Sequence, residues 1–210
     1  MNHLQDFHPR SFDIADQEND YQYYTSRTIP PLMDQGGYKA IEALYHTLIQ
    51  KSDTIVDLMC GSDSHLPNDI EYQHLIGIDL NEKALHENTR LTKKIIQDLY
   101  KNPQIPLQDN TADYICLCCV VEYLRNPIEI FSECYRILKP SGRIIISFSS
   151  HFLPLRATAL WQALSNQDRQ KLIKVFLQRT GFIHFDQGEV HPPADHPVWK
   201  DSIYSVIAQK

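Results

Sequence analysis

The sequence predicts an α/β fold: a mostly parallel sheet covered on both faces by helices. Three observations predict it. From Thr54 onward, short apolar runs rich in β-branched residues alternate with helical patterns. The first run ends in Asp57 and opens into a small-residue loop at Cys60-Gly61, and the second, Gly77-Ile78-Asp79-Leu80, ends in another acid. Two more runs close the chain, Phe182 to Val190 and Ile203 to Ala208.

Residues 1–20 are polar and aperiodic and read as a loose arm. Tyr21, Tyr23 and Tyr24, then Arg27 and Ile29 before Pro30-Pro31, either line a pocket or pack on the domain surface. Ile41, Leu44, Tyr45, Leu48 and Ile49 form one stripe of a helix over 38–50. These first fifty residues, 1–50, read as an arm and a cap helix, and 51–210 as the main domain. Strands are expected at 54–58, 74–79, 94–98, 114–121 and 143–148. A helix over 81–90 has Asn81 placed to cap it. Pro127 opens the next helix, which buries Ile128, Phe131, Cys134, Tyr135 and Leu138 before Lys139-Pro140-Ser141-Gly142 stops it. Helices fill most of 154–180, ahead of the closing strand pair.

A chain of 210 residues has room for one such domain with a sizeable core and a small addition. Twenty Lys and Arg against 26 Asp and Glu give a net charge of −6, with no basic run, which argues against nucleic acid or an anionic membrane as partner. No apolar stretch reaches membrane-spanning length and no basic start precedes an apolar segment, so a cytoplasmic protein is expected. Cys60, Cys116, Cys118, Cys119 and Cys134 are an odd set with three in one apolar run, the pattern of buried strand thiols and not of a disulfide framework. His191, Asp195 and His196 stand among prolines without a strong ligand spacing, and no metal is expected.

Strand-end carboxylates at Asp57 and Asp79 belong where parallel sheets bind ligands, at the C-terminal edge. Asp79 is placed to accept hydrogen bonds from ribose hydroxyls; its plainer reading is a helix cap, which Asn81 supplies equally well. No Gly-Xaa-Gly-Xaa-Xaa-Gly series is present, which points away from dinucleotides and towards S-adenosylmethionine.

The segment from Asp113-Tyr114-Ile115 through Glu122-Tyr123-Leu124 to Arg136-Ile137-Leu138-Lys139-Pro140-Ser141-Gly142 resembles the class I S-adenosylmethionine-dependent methyltransferases. Their helix ends in Arg-Xaa-Leu-Lys-Pro-Gly-Gly and leads into the fifth strand. The resemblance implies a Rossmann-like three-layer sandwich with seven strands in the order 3-2-1-4-5-7-6, strand 7 antiparallel. It covers about 50–150 and, by pattern, the last 30 residues. The cofactor loop departs from Asp-Xaa-Gly-Cys-Gly-Xaa-Gly: Asp57, Cys60 and Gly61 match, Met59 replaces the first glycine and Asp63 the third. Glycines there allow positive φ and close backbone approach. Asp57-Leu58-Met59, Ser64-His65-Leu66-Pro67, Ser147-Phe148-Ser149 and the Ala157–Trp161 helix are similar to one branch of the family, for which the resemblance supplies no substrate. Pro67 and the short span to the second strand leave room for only a short helix after the loop.

The resemblance implies a cofactor site made of Asp57, Met59, Cys60, Gly61, Asp79 and Leu80. It adds Asp98 near the adenine amino group, with Leu99 beside it, and Cys118 under the cofactor. A general base is required only if the acceptor is protonated; Glu122, Tyr123 and His151 are the candidates, each with a plainer reading as a packing or surface residue. Tyr23, Tyr24 and Trp199 are expected to join Tyr123 and His151 around an acceptor pocket. The leading expectation is methyl transfer to a small molecule. The alternatives are a catalytically degenerate binding protein of the same fold, and a protein methyltransferase.

Overall fold

The computed structural model describes residues 6–210. Its strands are β1 (Thr54–Leu58), β2 (His74–Asp79), β3 (Lys93–Ile96), β4 (Ala112–Cys118), β5 (Leu138–Ser149), β6 (Ile183–Val190) and β7 (Ile203–Gln209). They form one sheet in the order β3-β2-β1-β4-β5-β7-β6. The first five are parallel, and β7 runs antiparallel to both β5 and β6. This is the sheet that the alternating pattern and the closing strand pair predict.

Period-two alternation divides the core between the two faces. Ile55, Cys116 and Ile145 point to one face, under α2 (Gln35–Leu48) and α3 (Glu82–Glu87). Val56, Leu58, Ile115, Leu117, Ile144 and Ile146 point to the other, under α4 (Pro127–Ile137), α5 (Ala159–Ala163) and α6 (Asn166–Arg179). Strands covered on both faces need continuous apolar runs, and that is why they stand out in the sequence. Asn81 and Pro127 start helices as the sequence predicts, while α2 starts at Gln35, three residues before the expected 38. Asp34 accepts the Gly37 N–H at 2.9 Å, Asn81 accepts that of Ala84 at 3.1 Å, and Pro127 occupies the first turn of α4.

Several boundaries move for local reasons. β4 ends at Cys118 because Cys119 takes a left-handed φ of 54°, and a 3₁₀ turn at Val121–Tyr123 follows. β5 begins at Leu138, paired with Ala112, so 139–142 is an excursion within the strand and not a stop before it. α3 stops at Glu87, since Asn88 turns its side chain to the buried Ser64 hydroxyl at 3.0 Å. No helix forms between β1 and β2. Arg90 holds that loop instead, donating to the carbonyls of Leu66, Pro67 and Ile70 at 2.5, 2.6 and 3.1 Å.

The expected loose arm is corrected over 6–20; its first five residues lie outside the described ones. Phe7 and Phe12 pack on Phe176 of α6, with ring centroids 5.6 and 6.1 Å away. Backbone bonds run from Leu160 to Ser11 and from Ala159 to Asp13, each 2.9 Å. A short helix, α1 (Asp20–Thr25), follows. Asp20 pairs with both Arg156 and Arg125, and the buried Arg156 also donates to the carbonyls of Asp16 and Glu18 at 3.2 and 3.0 Å. Removing one partner of a buried ion pair costs about 3–5 kcal/mol, because the remaining charge is stranded. Asp20→Ala is therefore expected to free the N-terminal segment. Limited proteolysis of the full-length variant should cut within 20–33 at least tenfold faster than wild type, and unchanged protection would show that the aromatic contacts suffice.

Candidate functional site

The C-terminal edge of β1, β2 and β4 opens into a cleft of about 590 Å³, within the roughly 300–1,000 Å³ of small-molecule sites. Its floor is the turn after β1. Met59 and Gly61 both adopt left-handed backbone, φ 55° and 58°. Met59 thus takes the left-handed backbone that a glycine there would allow, and it lines the cleft. The Met59 N–H donates to the Ile78 carbonyl at 2.6 Å and draws the turn across β2. Gly77 makes that crossing possible: a Cβ there would lie 2.9 Å from Cys60 Sγ and 2.4 Å from Leu91 Cδ1. A Cβ on Gly61 would meet nothing within 4 Å, so its backbone faces open cleft.

Asp79 closes one side. Its Oδ2 accepts the Gly61 N–H at 2.9 Å and its Oδ1 that of Asn81 at 2.8 Å. Asn81, not Asp79, caps α3. Two carboxylate oxygens offer about four acceptor positions, so capacity remains for ligand hydroxyls. Burial pushes the Asp79 carboxyl above its usual value against the pull of those amides. Asp57 lies below the cleft lining, 2% exposed, with Oδ2 lacking a hydrogen-bond partner. Burial raises its carboxyl strongly; Ser64 opposes the rise and the charges of Asp63 and Asp79 add to it. Leu80, Leu99 and Cys118 also face the cleft.

Asp98 has local partners. Its Oδ1 accepts the N–H groups of Tyr100 and Lys101 at 3.1 and 3.3 Å, and Lys101 Nζ stands 3.1 Å from Oδ2. Gln97, Leu99 and Tyr100 line the cleft around it, while Asp98 does not. The Gln97 and Tyr100 contributions carried no signal in the sequence beyond their place after a strand.

Residues 24–33 form the roof. The Tyr24 carbonyl accepts Asn81 Nδ2 at 2.7 Å, and the Leu32 carbonyl accepts the Ser149 hydroxyl at 2.5 Å. Both ends of the roof are thus fastened to the sheet edge. Tyr24 faces the cleft, and burial pushes its phenol up to about 12 despite Arg156. Tyr23 lies behind it, with ring centroids 5.0 Å apart and Arg156 4.4 Å from the Tyr23 ring. Trp199 is outside the lining. It packs on Gly36, donates from Nε1 to the Asp201 carbonyl at 2.7 Å, and braces the chain where the roof joins α2.

The three base candidates separate. Tyr123 reaches the cleft, its hydroxyl accepting the Leu153 N–H at 3.0 Å, and burial pushes its phenol far up. His151 is exposed and outside the lining. Glu122 points into the apolar core, fully buried, with neither carboxylate oxygen hydrogen-bonded. Burial lifts its carboxyl to about 8 against the nearby Arg169 guanidinium.

The folded chain therefore keeps the Glu122 proton that the unfolded chain loses near 4.5. Its contribution to stability is whole below that value and is lost as pH rises through about 8, at about 1.4 kcal/mol per pH unit. Glu122→Gln is expected to gain on wild type with the same slope and to level off above that range. Urea titrations at several pH values check it, and parallel curves would place the proton elsewhere.

The residues present fit S-adenosylmethionine. Spare acceptors on Asp79 suit ribose hydroxyls, the open backbone at Gly61 admits close approach, and Leu99 supplies an apolar wall. The comparisons agree. Residues 56–146 match a family described as "Methyltransferase domain". A probable S-adenosylmethionine-dependent methyltransferase of Mycolicibacterium smegmatis is 28% identical over 143 residues, 64% of this chain and 54% of that protein. A malonyl-[acyl-carrier protein] O-methyltransferase of Marinomonas is 28% identical over 65 residues, 31% of this chain and 24% of that protein. The chain thus spans between about a quarter and about half of these relatives. In structure it is similar to a Thermotoga maritima methyltransferase described as a possible histamine N-methyltransferase. The TM-score is 0.62 at 14% identity, over 83% of this chain and 89% of the other. Residues 56–146 thus match a methyltransferase domain, and the chain shares its fold with S-adenosylmethionine-dependent methyltransferases of known structure.

Proposed function

We propose that this chain transfers a methyl group from S-adenosylmethionine to a small-molecule acceptor held beneath residues 24–33. The observation that carries the reading is the roof, a polypeptide segment fastened at Asn81 and Ser149 over the strand ends. A roof of this kind leaves a bounded cleft and not the open groove that a macromolecular acceptor needs.

The bound cofactor supplies an already activated methyl group on a sulfonium. What the chain adds is alignment, and positioning alone supplies much of the rate enhancement in such reactions. Asp79 is assigned to the ribose hydroxyls, Gly61 and Cys60 to the floor, and Leu80 and Leu99 to the walls of the base slot. Tyr24 and Tyr123 bound the acceptor side, exclude water and offer neutral hydroxyls as donors. Both phenols are held protonated by burial, so neither serves as a base near neutral pH. The degenerate-protein alternative rested on the altered glycine loop, Met59 and Asp63; the left-handed backbone of Met59 answers the conformational part of the objection at that position.

Asp79→Ala is expected to weaken S-adenosylmethionine binding by about 1.5–3 kcal/mol, which is roughly 10- to 150-fold, with far-UV circular dichroism unchanged. Unaltered affinity in a calorimetric titration would remove Asp79 from the site. With methyl-labelled cofactor and a fractionated cell extract, wild type should label the low-mass fraction. Label confined to protein would overturn the small-molecule reading.

A further inference from the structure

The run Ser64-His65-Leu66-Pro67 is clamped on both sides of His65. The Ser64 hydroxyl accepts Asn88 Nδ2 at 3.0 Å with both side chains buried. Beyond it, Leu66 is buried and the Leu66 and Pro67 carbonyls accept the Arg90 guanidinium. Between the clamps His65 adopts φ 53°, a left-handed backbone that disfavours residues with a Cβ. His65 is among the residues that line the cleft. The ring stands 5.2 Å from that of Tyr38 on α2, and Asp63 Oδ1 accepts the His65 backbone N–H at 3.1 Å and the Tyr38 hydroxyl at 3.4 Å. Strained residues persist where surrounding structure enforces them, and they cluster at ligand sites.

The charges around the cleft say what such a group would meet. Asp63, Asp79 and Glu87 line it as acids, and Arg27, Lys83 and His65 as bases. Arg27 bonds Glu18 at 2.6 Å and lies over Tyr23 at 4.3 Å. Lys83 extends into solvent beside Glu87, 3.9 Å away. His65 alone of the three bases belongs to the cofactor loop and has no acidic side chain in an ion pair with it among the described residues. We propose that His65 is a binding residue of this cleft, its imidazole receiving the carboxylate of the cofactor's amino-acid tail, and that the Ser64–Pro67 run serves to hold it there. The inference rests on the methyltransferase reading and assigns a role that the glycine loop of the family does not contain.

Burial holds the imidazole below its usual value, so in the free protein it is neutral at pH 7. A carboxylate against it favours the charged form, and binding then takes up a proton. The titratable groups around the ring are Asp63 from its own loop and Tyr38 from α2. Tyr38 is in turn influenced by Glu42 and Arg90, while Glu87 and Lys83 of α3 line the same cleft. Burial and Asp63 lift the Tyr38 phenol to about 12, which removes it from the neutral range.

The experiment is calorimetric titration of the full chain with S-adenosylmethionine and with 5′-methylthioadenosine, which lacks the amino-acid tail. Each is run at pH 7.5 in two buffers of different ionisation enthalpy. Wild type should take up protons with the first ligand only. His65→Asn and His65→Gly should weaken S-adenosylmethionine at least tenfold, abolish the proton uptake and leave 5′-methylthioadenosine unchanged. His65→Gly should melt no lower than wild type, since glycine adopts this backbone freely. Equal weakening of both ligands, or unchanged S-adenosylmethionine affinity with proton uptake retained, would overturn the role of His65 alone. A wild-type chain that binds neither nucleoside would overturn the cofactor reading together with it.

Discussion

One buried carboxylate joins the two halves of the cleft. Asp79 ends β2, yet it holds the N–H of Gly61 on the turn after β1 and that of Asn81 at the start of α3. In a sheet of this kind a helix after β1 would normally fix the turn. Here there is none, and the whole loop is fixed from the neighbouring strand and the turn beyond α3. Ile78 takes the Met59 N–H, Gly77 vacates the space that Cys60 fills, and Asn88 and Arg90 hold the remainder. Loop and second strand are therefore one mechanical unit.

A second constraint holds the roof. Arg156, buried in the turn before α5, is balanced by Asp20 and by two carbonyls of the N-terminal segment, and it lies against the rings of Tyr23 and Tyr24. A guanidinium is expensive to bury unless paired and hydrogen-bonded, so the chain has strong reason to keep α1 where it is. Docking α1 fixes where residue 24 begins its crossing, and Asp34 and Trp199 fix where it ends. The N-terminal residues are thus part of the cleft's construction and not an appendage to it.

The strands were legible in the sequence because they are covered on both faces and must be continuously apolar, and their order followed from the family resemblance. The place of Asp79 at the cleft edge was legible too, since it ends an apolar strand run, and the structure gives the helix cap to Asn81. The docking of 6–20 was not legible. Its partners lie more than a hundred residues away, and Phe7, Phe12 and Asp20 carry no periodicity that points to Phe176 or Arg156. Glu122 was legible as a residue after β4 but not as an orphaned core acid, because the direction of a side chain in a 3₁₀ turn depends on the turn itself. Asp98 illustrates a further limit. A position next to the ligand edge is readable from sequence, but capture of the carboxylate by Tyr100, Lys101 and their backbone is decided only by the local turn. Met59 shows the reverse case. The sequence marks a departure at a glycine position, and the backbone absorbs it.

The acids around the turn also bear on turnover under the proposed reaction. Asp57 and Asp79 are buried with their carboxyls pushed upward by that burial, and the Asp79 charge adds to the rise at Asp57. Such a pair strongly prefers a positively charged neighbour, because opposite charge nearby is what allows a buried carboxyl to ionise. The methyl donor is a sulfonium and its product a neutral thioether. The same carboxyls that favour entry of the charged form lose that interaction when the charge leaves with the methyl group. Under that reading, discrimination between donor and product comes from the carboxyls beside and below the turn, and it needs no movement of the roof.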